Sequence, residues 1–270
     1  MTRPDWAPDE VDIDVPNAAR MYDYSLGGFH NFAVDREMVE RIVAMAPDAR
    51  QIAVANRAFL GRAVRRLVSD GVRQFLDVGS GIPALASTHE VAQQADPGTR
   101  VVYVDLDPVA VAHGRAILAG NPGAEAVLGD ARRPDDILRD AAATGLIDLA
   151  EPVAVLLIAV LHFVPDADDP PGIVRRFRDA VAPGSVIAIS HGSPPPRRER
   201  DAEAVTGVYQ RTSTPLHLRS AAQIAGLLDG LDLLEPGVVP VTGWHPDPQD
   251  AGTEPRPEVL AAVGRKPATR

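Results

Sequence analysis

The stretch Phe75-Leu-Asp-Val-Gly-Ser-Gly-Ile-Pro83 decides the fold class of this chain of 270 residues. Its apolar start predicts a strand, and its two glycines predict a sharp turn into a helix. Glycine also lets a ligand approach the backbone without meeting a Cβ atom. Turns of this kind follow strands in phosphate sites, in nucleoside sites and in proteins that bind nothing there. The rest of the sequence is needed to distinguish these three possibilities.

Apolar runs alternate with helical patterns on the C-terminal side of this stretch. This alternation predicts a doubly wound, mostly parallel α/β sheet. Asp107 and Pro108 mark a helix start, as N-cap and first-turn residue. The expected strands are 74–78, 101–105, 124–128, 153–158 and 185–190, with shorter ones at 231–235 and 259–264. The expected helices are 84–94, 108–119, 134–142, 172–181 and 220–228.

The N-terminal quarter of the chain has a helical pattern without strands. Residues 1–16 are expected to form a flexible arm, and residues 17–37 a short helix that breaks at Gly27-Gly28, followed by a second helix from about Ala33. A third helix is expected over residues 56–68. Four arginines lie mostly off its apolar stripe and are expected to form a solvated face: Arg57, Arg62, Arg65 and Arg66.

Composition narrows the class of protein. A net charge of −10 argues against a nucleic-acid or anionic-membrane surface. The absence of cysteine excludes disulfides and thiolate chemistry, and no spacing of histidines and carboxylates predicts a metal site. Because the sequence shows no secretory signal and no apolar run that could span a bilayer, we expect a cytoplasmic protein. A homodimer stays open.

Polar residues stand at the ends of five successive predicted strands. Because ligands bind outside the carboxyl ends of parallel strands, these residues predict one binding site. Asp105 lies 24 residues beyond Gly81, where a carboxylate can accept both ribose hydroxyls of a nucleoside cofactor. The strand-end residues are Asp77 with Gly79, Ser80 and Gly81; Asp105; Asp130; His162; and His191.

Two cofactor classes fit the glycine turn. Gly79-x-Gly81-x-x-Ala84 matches the dinucleotide fingerprint formally, which favours NAD or FAD. Against it, dinucleotide turns usually have an apolar residue in place of Asp77, and Asp130 has no role in such a site. An NAD(P)-dependent oxidoreductase would also need a catalytic acid such as a Tyr-x-x-x-Lys pair, which the chain lacks.

The pattern D-x-G-x-G-x-P, followed by acidic residues at the next two strand ends, resembles class I S-adenosylmethionine-dependent methyltransferases. The segments RMYDYSLGG, ANRAFLGRAVR, VVYVDLDPVAVAH and PVAVLLIAVLHFVPD are similar to one methyltransferase family of high-GC bacteria that has no assigned substrate. The resemblance implies a seven-stranded, Rossmann-like sheet with an N-terminal helical cap. It also implies one methyltransferase domain over residues 17–270, made of a cap (17–71), a cofactor-binding core (72–191) and a substrate-side part (192–270).

The same resemblance assigns roles to residues. Asp77, Gly79, Ser80 and Gly81 would surround the methionine part of S-adenosylmethionine, and Asp105 would hold the ribose. Leu106 would flank the adenine, and Asp130 with Ala131 would meet its edge. Tyr22 is predicted to cover the cofactor; the alternative is that it only packs its helix onto the sheet.

His162 is the candidate general base, because the ordinary pKa of histidine suits proton transfer at neutral pH. A structural hydrogen-bonding role is the alternative. We expect methyl transfer to an oxygen or nitrogen atom of a small molecule by direct in-line displacement. A cofactor-binding regulatory protein without transferase activity is the second hypothesis, since fold and cofactor do not establish turnover.

Overall fold

The computed structural model describes residues 12–83, 86–194, 206–207, 209, 215–250 and 252–268. Within these residues a twisted sheet lies between two layers of helices. The strands are β1 (Gln74–Val78), β2 (Arg100–Asp105), β3 (Ala124–Leu128), β4 (Ala154–Ile158), β5 (Val186–Gly192), β6 (Asp232–Leu233), β7 (Val239–Pro240) and β8 (Val259–Arg265).

The strand order is β3-β2-β1-β4-β5-β8-β6, and β1 to β5 all run parallel. β8 is inserted antiparallel between β5 and β6. This path confirms the predicted doubly wound, mostly parallel, seven-stranded sheet. The two-residue strand β7, which was not predicted, pairs with β8 beside the path.

Both faces of the sheet are covered, which explains why its central strands are apolar throughout. Leu76 and Leu157 belong to the core on one face, whereas Phe75 and Leu156 belong to the core on the other. Burial of the two faces fixes the register of each strand, since a shift by one residue would exchange the two sets of side chains.

The helices among the described residues are α1 (Ala18–Ser25), α2 (Ala33–Met45), α3 (Ala49–Ser69), α4 (Thr88–Ala95), α5 (Pro108–Ile117), α6 (Pro134–Ala143), α7 (Pro170–Ala180) and α8 (Ala221–Leu227). The predicted start of α5 is confirmed, because the Asp107 carboxylate accepts a hydrogen bond from the Val109 N–H group at 2.9 Å. α4 begins later than predicted, at Thr88, where the Glu90 carboxylate accepts from the Ser87 N–H group. Residues 84 and 85 lie outside the described residues.

Helices α1 to α3 form the N-terminal helical cap. The break at Gly27-Gly28 and the second helix from Ala33 are confirmed, and α3 begins seven residues before its predicted start at Asn56. α1 is held to α2 by the buried Arg20, whose guanidinium lies 3.2 Å from the Asp35 carboxylate.

Residues 1–11 of the predicted arm and 195–205 of the substrate-side part lie outside the described residues. The division into cap, core and substrate-side part stays a prediction. No helix within the described ranges is both long enough and apolar enough to cross a membrane.

Candidate active site

A cavity of about 750 Å³ opens at the carboxyl edge of the sheet and is closed on one side by the helical cap. Its size lies within the range of small-molecule sites. Most of the residues predicted from the sequence for this site line the cavity: Tyr22, Asp77, Gly79, Ser80, Gly81, Asp105, Leu106, Asp130, Ala131 and His162. The strand-end residue His191 does not. The structure therefore brings together residues that are up to 140 positions apart in the chain.

The glycine turn after β1 needs glycine at both positions. Gly79 and Gly81 have φ values of +68° and +64°, in the left-handed region that side chains disfavour. A Cβ atom on Gly79 would also lie 2.4 Å from a methyl carbon of Val160. The Gly79 and Ser80 N–H groups both donate to the Val104 carbonyl, which ties the turn to β2.

Asp105 holds the glycine turn and the next turn together. Its carboxylate accepts from the Gly81 N–H group at 2.7 Å and from the Asp107 N–H group at 2.8 Å. Burial raises the pKa of Asp105 to about 6. Because each carboxylate oxygen has a second lone pair, Asp105 can still accept hydrogen bonds from a ligand.

Asp77 lies at the other side of the glycine turn. Its carboxylate accepts from the Thr88 hydroxyl at 2.6 Å, and burial raises its pKa to about 6, although the Thr88 bond and the positive charge of Arg57 act in the opposite direction. A buried carboxylate with one neutral donor is poorly compensated, so it favours a cationic ligand group.

Tyr22, Asn56 and Arg57 form the cap wall opposite Asp77. The Tyr22 hydroxyl donates to the Ala53 carbonyl at 3.1 Å and accepts from the Asn56 amide at 3.0 Å. The Arg57 guanidinium lies 5.6 Å from the centre of the Tyr22 ring. Two polar atoms of this wall are buried without a hydrogen-bond partner in the described part of the chain, Arg57 Nε and Asn56 Oδ1.

The expectation that all four arginines of α3 are solvated is wrong for two of them. Arg57 lines the cavity, and Arg62 is buried and donates to the carbonyls of Val241 and Trp244. The reason is that α3 is covered by α1 on one side and by the segment after β7 on another, so its polar side is not all exposed to solvent. Arg57 is thus a site residue that the sequence analysis missed.

The ends of β2 and β3 form the remaining cofactor-side wall. Leu106 exposes 55% of its surface there, although it is a large apolar residue. Asp130 accepts from the Arg132 N–H group and is paired with the Arg132 guanidinium at 2.6 Å. Although burial acts in the opposite direction, these bonds lower the pKa of Asp130. Ala131 packs against the core beside it.

His162 lies in a short 3-10 helix after β4 (Leu161–Phe163). Its Nδ1 atom accepts a hydrogen bond from the Gly192 N–H group at 3.1 Å. Burial, together with the neighbouring His191 and Arg219, lowers its pKa well below the usual value, so the ring is neutral. A neutral imidazole that accepts at Nδ1 carries its proton at Nε2 and is a donor there.

His191 is also a neutral ring, and it supports the site without lining the cavity. Its Nδ1 donates to the Gly192 carbonyl at 2.8 Å, and its Nε2 accepts from the Arg219 guanidinium at 2.9 Å. Burial lowers the pKa of His191 to about 4. Arg219 also donates to the carbonyls of Leu161 and Val164 and so fixes the 3-10 helix that carries His162.

The side of the cavity away from the glycine turn is largely apolar. Val39 and Ile42 of α2 and Ile52 of α3 form one wall, and Phe163 and Leu216 form the opposite one. The described residues contain no group of three or more histidine, aspartate or glutamate side chains that could hold a metal ion.

Comparison with known proteins agrees with this geometry. A model of the S-adenosyl methyltransferase family matches residues 4–267. A search of curated proteins gives no match. The solved structure of a DUF574 family protein from Streptomyces avermitilis is 38% identical, with a TM-score of 0.88, and the match covers 95% of this chain and 100% of that one.

Two further structures are similar. A methyltransferase candidate from Thermobifida fusca is 34% identical over 98% of this chain and 100% of its own, with a TM-score of 0.89. Human N-acetylserotonin methyltransferase, solved in complex with S-adenosylmethionine, is 16% identical, with a TM-score of 0.52 over 92% of this chain and 62% of that one. At this identity the human enzyme supports the fold alone.

Proposed function

The chain belongs to the S-adenosyl methyltransferase family, and we propose that it transfers a methyl group to an oxygen or nitrogen atom of a small molecule bound in the cavity at the sheet edge. Its cofactor is S-adenosylmethionine, which supplies an electrophilic methyl group on a good leaving group. The residues of the chain have to bind the two partners in line and exclude water, a task that can supply about 7–11 kcal/mol of the barrier.

We call the part of the cavity beside the glycine turn the cofactor half. Its assignment rests on two opposite charges on facing walls of the cavity. Asp77 is a poorly compensated buried carboxylate, and Arg57 has a buried nitrogen without a partner in the described residues. The amino-acid end of S-adenosylmethionine carries one ammonium and one carboxylate group. We assign the ammonium group to Asp77 and the carboxylate group to Arg57, with Tyr22 covering this end.

The adenosine end then lies along the ends of β2 and β3. The Asp105 carboxylate accepts from the ribose hydroxyls, while its existing bonds to the Gly81 and Asp107 N–H groups keep it oriented. The exposed side chain of Leu106 covers one face of the adenine and gains burial there. Asp130 and Ala131 meet the adenine edge. The Gly79-Ser80-Gly81 turn lets the cofactor approach the backbone.

The geometry changes the role proposed for His162. Since Nδ1 accepts from the Gly192 N–H group, the neutral ring has no free lone pair to take a proton from a nucleophile. We therefore assign His162 the role of a hydrogen-bond donor that orients the methyl acceptor through Nε2–H. Direct displacement needs no covalent bond to the protein. His162 can therefore contribute by orienting the methyl acceptor and excluding water alone.

Calorimetric titration with S-adenosylhomocysteine, 5′-methylthioadenosine and NADH tests this assignment. Methylthioadenosine lacks the amino-acid end, so Arg57→Gln should weaken S-adenosylhomocysteine binding by about 10- to 100-fold, as for a lost charge-assisted hydrogen bond, and leave methylthioadenosine binding unchanged. Asp105→Ala should weaken both adenosyl ligands.

Arg65→Gln is the matched control, because Arg65 is on the same helix but pairs with Asp247 outside the cavity. Binding of NADH with no binding of either adenosyl ligand would overturn the proposal. An equal loss of both adenosyl ligands in Arg57→Gln would refute the assignment of the carboxylate group to Arg57.

A further inference from the structure

Glu258 lies on the apolar side of the cavity, directly before β8. Its carbonyl accepts from the Ser193 N–H group at 2.8 Å, and the following residue, Val259, pairs with Gly192 in the sheet. Since the Gly192 N–H group donates to His162, the backbone places Glu258 and His162 at the same strand end. Nothing in the fold of the strands requires an acidic residue at this position.

The Glu258 side chain has an unsatisfied atom. Its Oε2 atom is buried and has no hydrogen-bond partner in the described portion of the chain. A buried acceptor without a donor costs about 1–3 kcal/mol, and more when it is charged. Because Glu258 is only partly buried and lines the cavity, a ligand donor that reaches its carboxylate would offset part of this cost.

The side chains around Glu258 indicate the chemistry of the rest of that ligand. The opposing walls of this half of the cavity are apolar, with Val39, Ile42 and Ile52 on the cap side. Tyr209 packs against this cap-side cluster, and its ring centre lies 5.7 Å from that of Phe163, which also lines the cavity. Aromatic faces bind both apolar rings and cations. The site therefore suits an apolar body that carries one donor group.

We propose that the methyl acceptor is a small, largely apolar amine, and that Glu258 binds it by accepting a hydrogen bond from its N–H group. For transfer, the ammonium form would lose a proton to the Glu258 carboxylate, the freed lone pair would form the bond to the methyl carbon, and the bond from that carbon to sulfur would break to release S-adenosylhomocysteine. His162 Nε2–H would then orient a part of the acceptor other than the attacking nitrogen. This inference rests on the proposed function and adds the class of substrate and the residue that selects it. A carboxylate favours an amine over an alcohol because the bond becomes charge-assisted, and it repels an acid of the same shape.

Three indole compounds test the proposal on protein saturated with S-adenosylhomocysteine. Tryptamine, tryptophol and indole-3-propionate share a ring system and differ in their amine, hydroxyl and carboxylate groups. We expect tryptamine to bind at least about tenfold more tightly than indole-3-propionate, with tryptophol between them. Glu258→Gln should weaken tryptamine binding by about tenfold or more and remove most of the discrimination against the carboxylate.

Glu254→Gln is the matched control, since Glu254 is exposed in the same loop and does not line the cavity. It should bind all three compounds like the unaltered protein. Indole-3-propionate binding as tightly as tryptamine, unchanged tryptamine binding in Glu258→Gln, or no binding of tryptamine to the saturated protein would each overturn the proposal.

The titration with S-adenosylhomocysteine on the same preparations separates the two levels of inference. If the cofactor product binds to the unaltered protein but that protein shows no preference for the amine, only the acceptor proposal is wrong. If the cofactor product does not bind to the unaltered protein, the assignment of the cofactor half is wrong.

Discussion

The two halves of the cavity are built in different ways. In the cofactor half, two carboxylates are fixed largely within their own turns: Asp105 accepts from Asp107 and Asp130 accepts from Arg132, each two residues away. Asp105 also accepts from Gly81 across 24 residues, and Asp77 accepts from Thr88 across 11. The acceptor half is the part of the cavity around His162 and Glu258, where we place the methyl acceptor. There, the hydrogen bonds join distant parts of the chain. Gly192 donates to His162 across 30 residues, and Arg219 donates to Leu161 across 58.

This difference affects how each half responds to change. A turn stabilised by bonds between near neighbours forms wherever its strand forms, so a substitution there acts locally. The acceptor half depends on a few long-range bonds, so the loss of one donor frees several segments at once. Substitutions in the acceptor half should therefore change stability more and cofactor binding less than substitutions in the cofactor half.

Arg219→Met should have the largest effect. Arg219 is buried and donates to three groups of the acceptor half, the carbonyls of Leu161 and Val164 and the His191 ring, and it pairs with the Asp166 carboxylate at 2.5 Å. The substitution leaves three buried acceptors without a donor, at about 1–3 kcal/mol each, so the free energy of unfolding should fall by about 3–5 kcal/mol. Chemical denaturation measures this change, and titration of the folded variant should give S-adenosylhomocysteine affinity within about twofold of the unaltered value.

Arg176→Met is the control, because Arg176 is exposed and its pair with Asp135 is at the surface. Its unfolding free energy should change by less than about 0.5 kcal/mol. A loss of cofactor affinity in Arg219→Met as large as its loss of stability would contradict the independence of the two halves.

The next largest loss of stability is expected from alanine at the two glycines of the turn. Comparison of the two variants distinguishes backbone strain from steric conflict. Gly79→Ala places a Cβ atom 2.4 Å from Val160, whereas the nearest atom to a Cβ on Gly81 is 4.0 Å away, on Ala19. Both positions have positive φ, which costs alanine about 1–2 kcal/mol. Gly81→Ala should lose about that amount in denaturation, and Gly79→Ala about 2–4 kcal/mol because overpacking is added. Equal losses would mean that Val160 moves aside freely.

The same contrast decides how much of the site could be predicted from the sequence. Asp77, Gly79, Gly81 and Asp105 lie next to strand ends that apolar runs define, so their meeting at one sheet edge follows from the α/β alternation. Turn chemistry within a few residues is visible in the sequence itself. The parallel sheet and the helix start at Asp107 are predictable for the same reason.

The acceptor half, and Arg57 of the cofactor half, could not be predicted in this way. Glu258 precedes a strand whose first residue, Val259, pairs with Gly192, 67 residues away, and no local motif marks it. Arg57 was missed because helical periodicity shows which side of α3 is apolar but not which helix covers its polar side. The protonated nitrogen of His162 depends on a backbone donor 30 residues away. Each of these features arises only when the sheet brings distant segments together.

The smallest expected effect is the change of cofactor affinity with pH. It compares the titrating groups of the cofactor half with those of the acceptor half. Burial raises the pKa values of Asp77 and Asp105 from 3.8 to about 6 in the free protein. Ribose hydroxyls and an ammonium group both favour the ionised carboxylates, so binding lowers these pKa values. Affinity for S-adenosylhomocysteine should thus be level above pH 6 and fall by up to about tenfold for each pH unit below it, per group. Calorimetry between pH 5 and 8 measures this change.

The same two carboxylates should contribute with the opposite sign to the stability of the free protein in this range. A carboxyl group with a raised pKa binds more protons in the folded than in the unfolded state, so the free energy of unfolding falls as the pH rises from about 4 to about 6. Bound cofactor product should reduce this dependence. His162 and His191 act in the opposite direction: burial lowers their pKa values, that of His191 to about 4, so the unfolded chain binds more protons there and the free energy of unfolding rises with pH up to about 6.5. Denaturation of Asp77→Asn and Asp105→Asn beside the unaltered protein isolates the contribution of the carboxylates.

Asp105→Asn and Asp77→Asn test the origin of the titration, because each amide keeps the shape of the side chain and cannot ionise. Each variant should bind S-adenosylhomocysteine more weakly at pH 8, and its affinity should change less with pH below 6. If both keep the full dependence, neither carboxylate is the titrating group, and the raised pKa values of Asp77 and Asp105 do not govern cofactor binding.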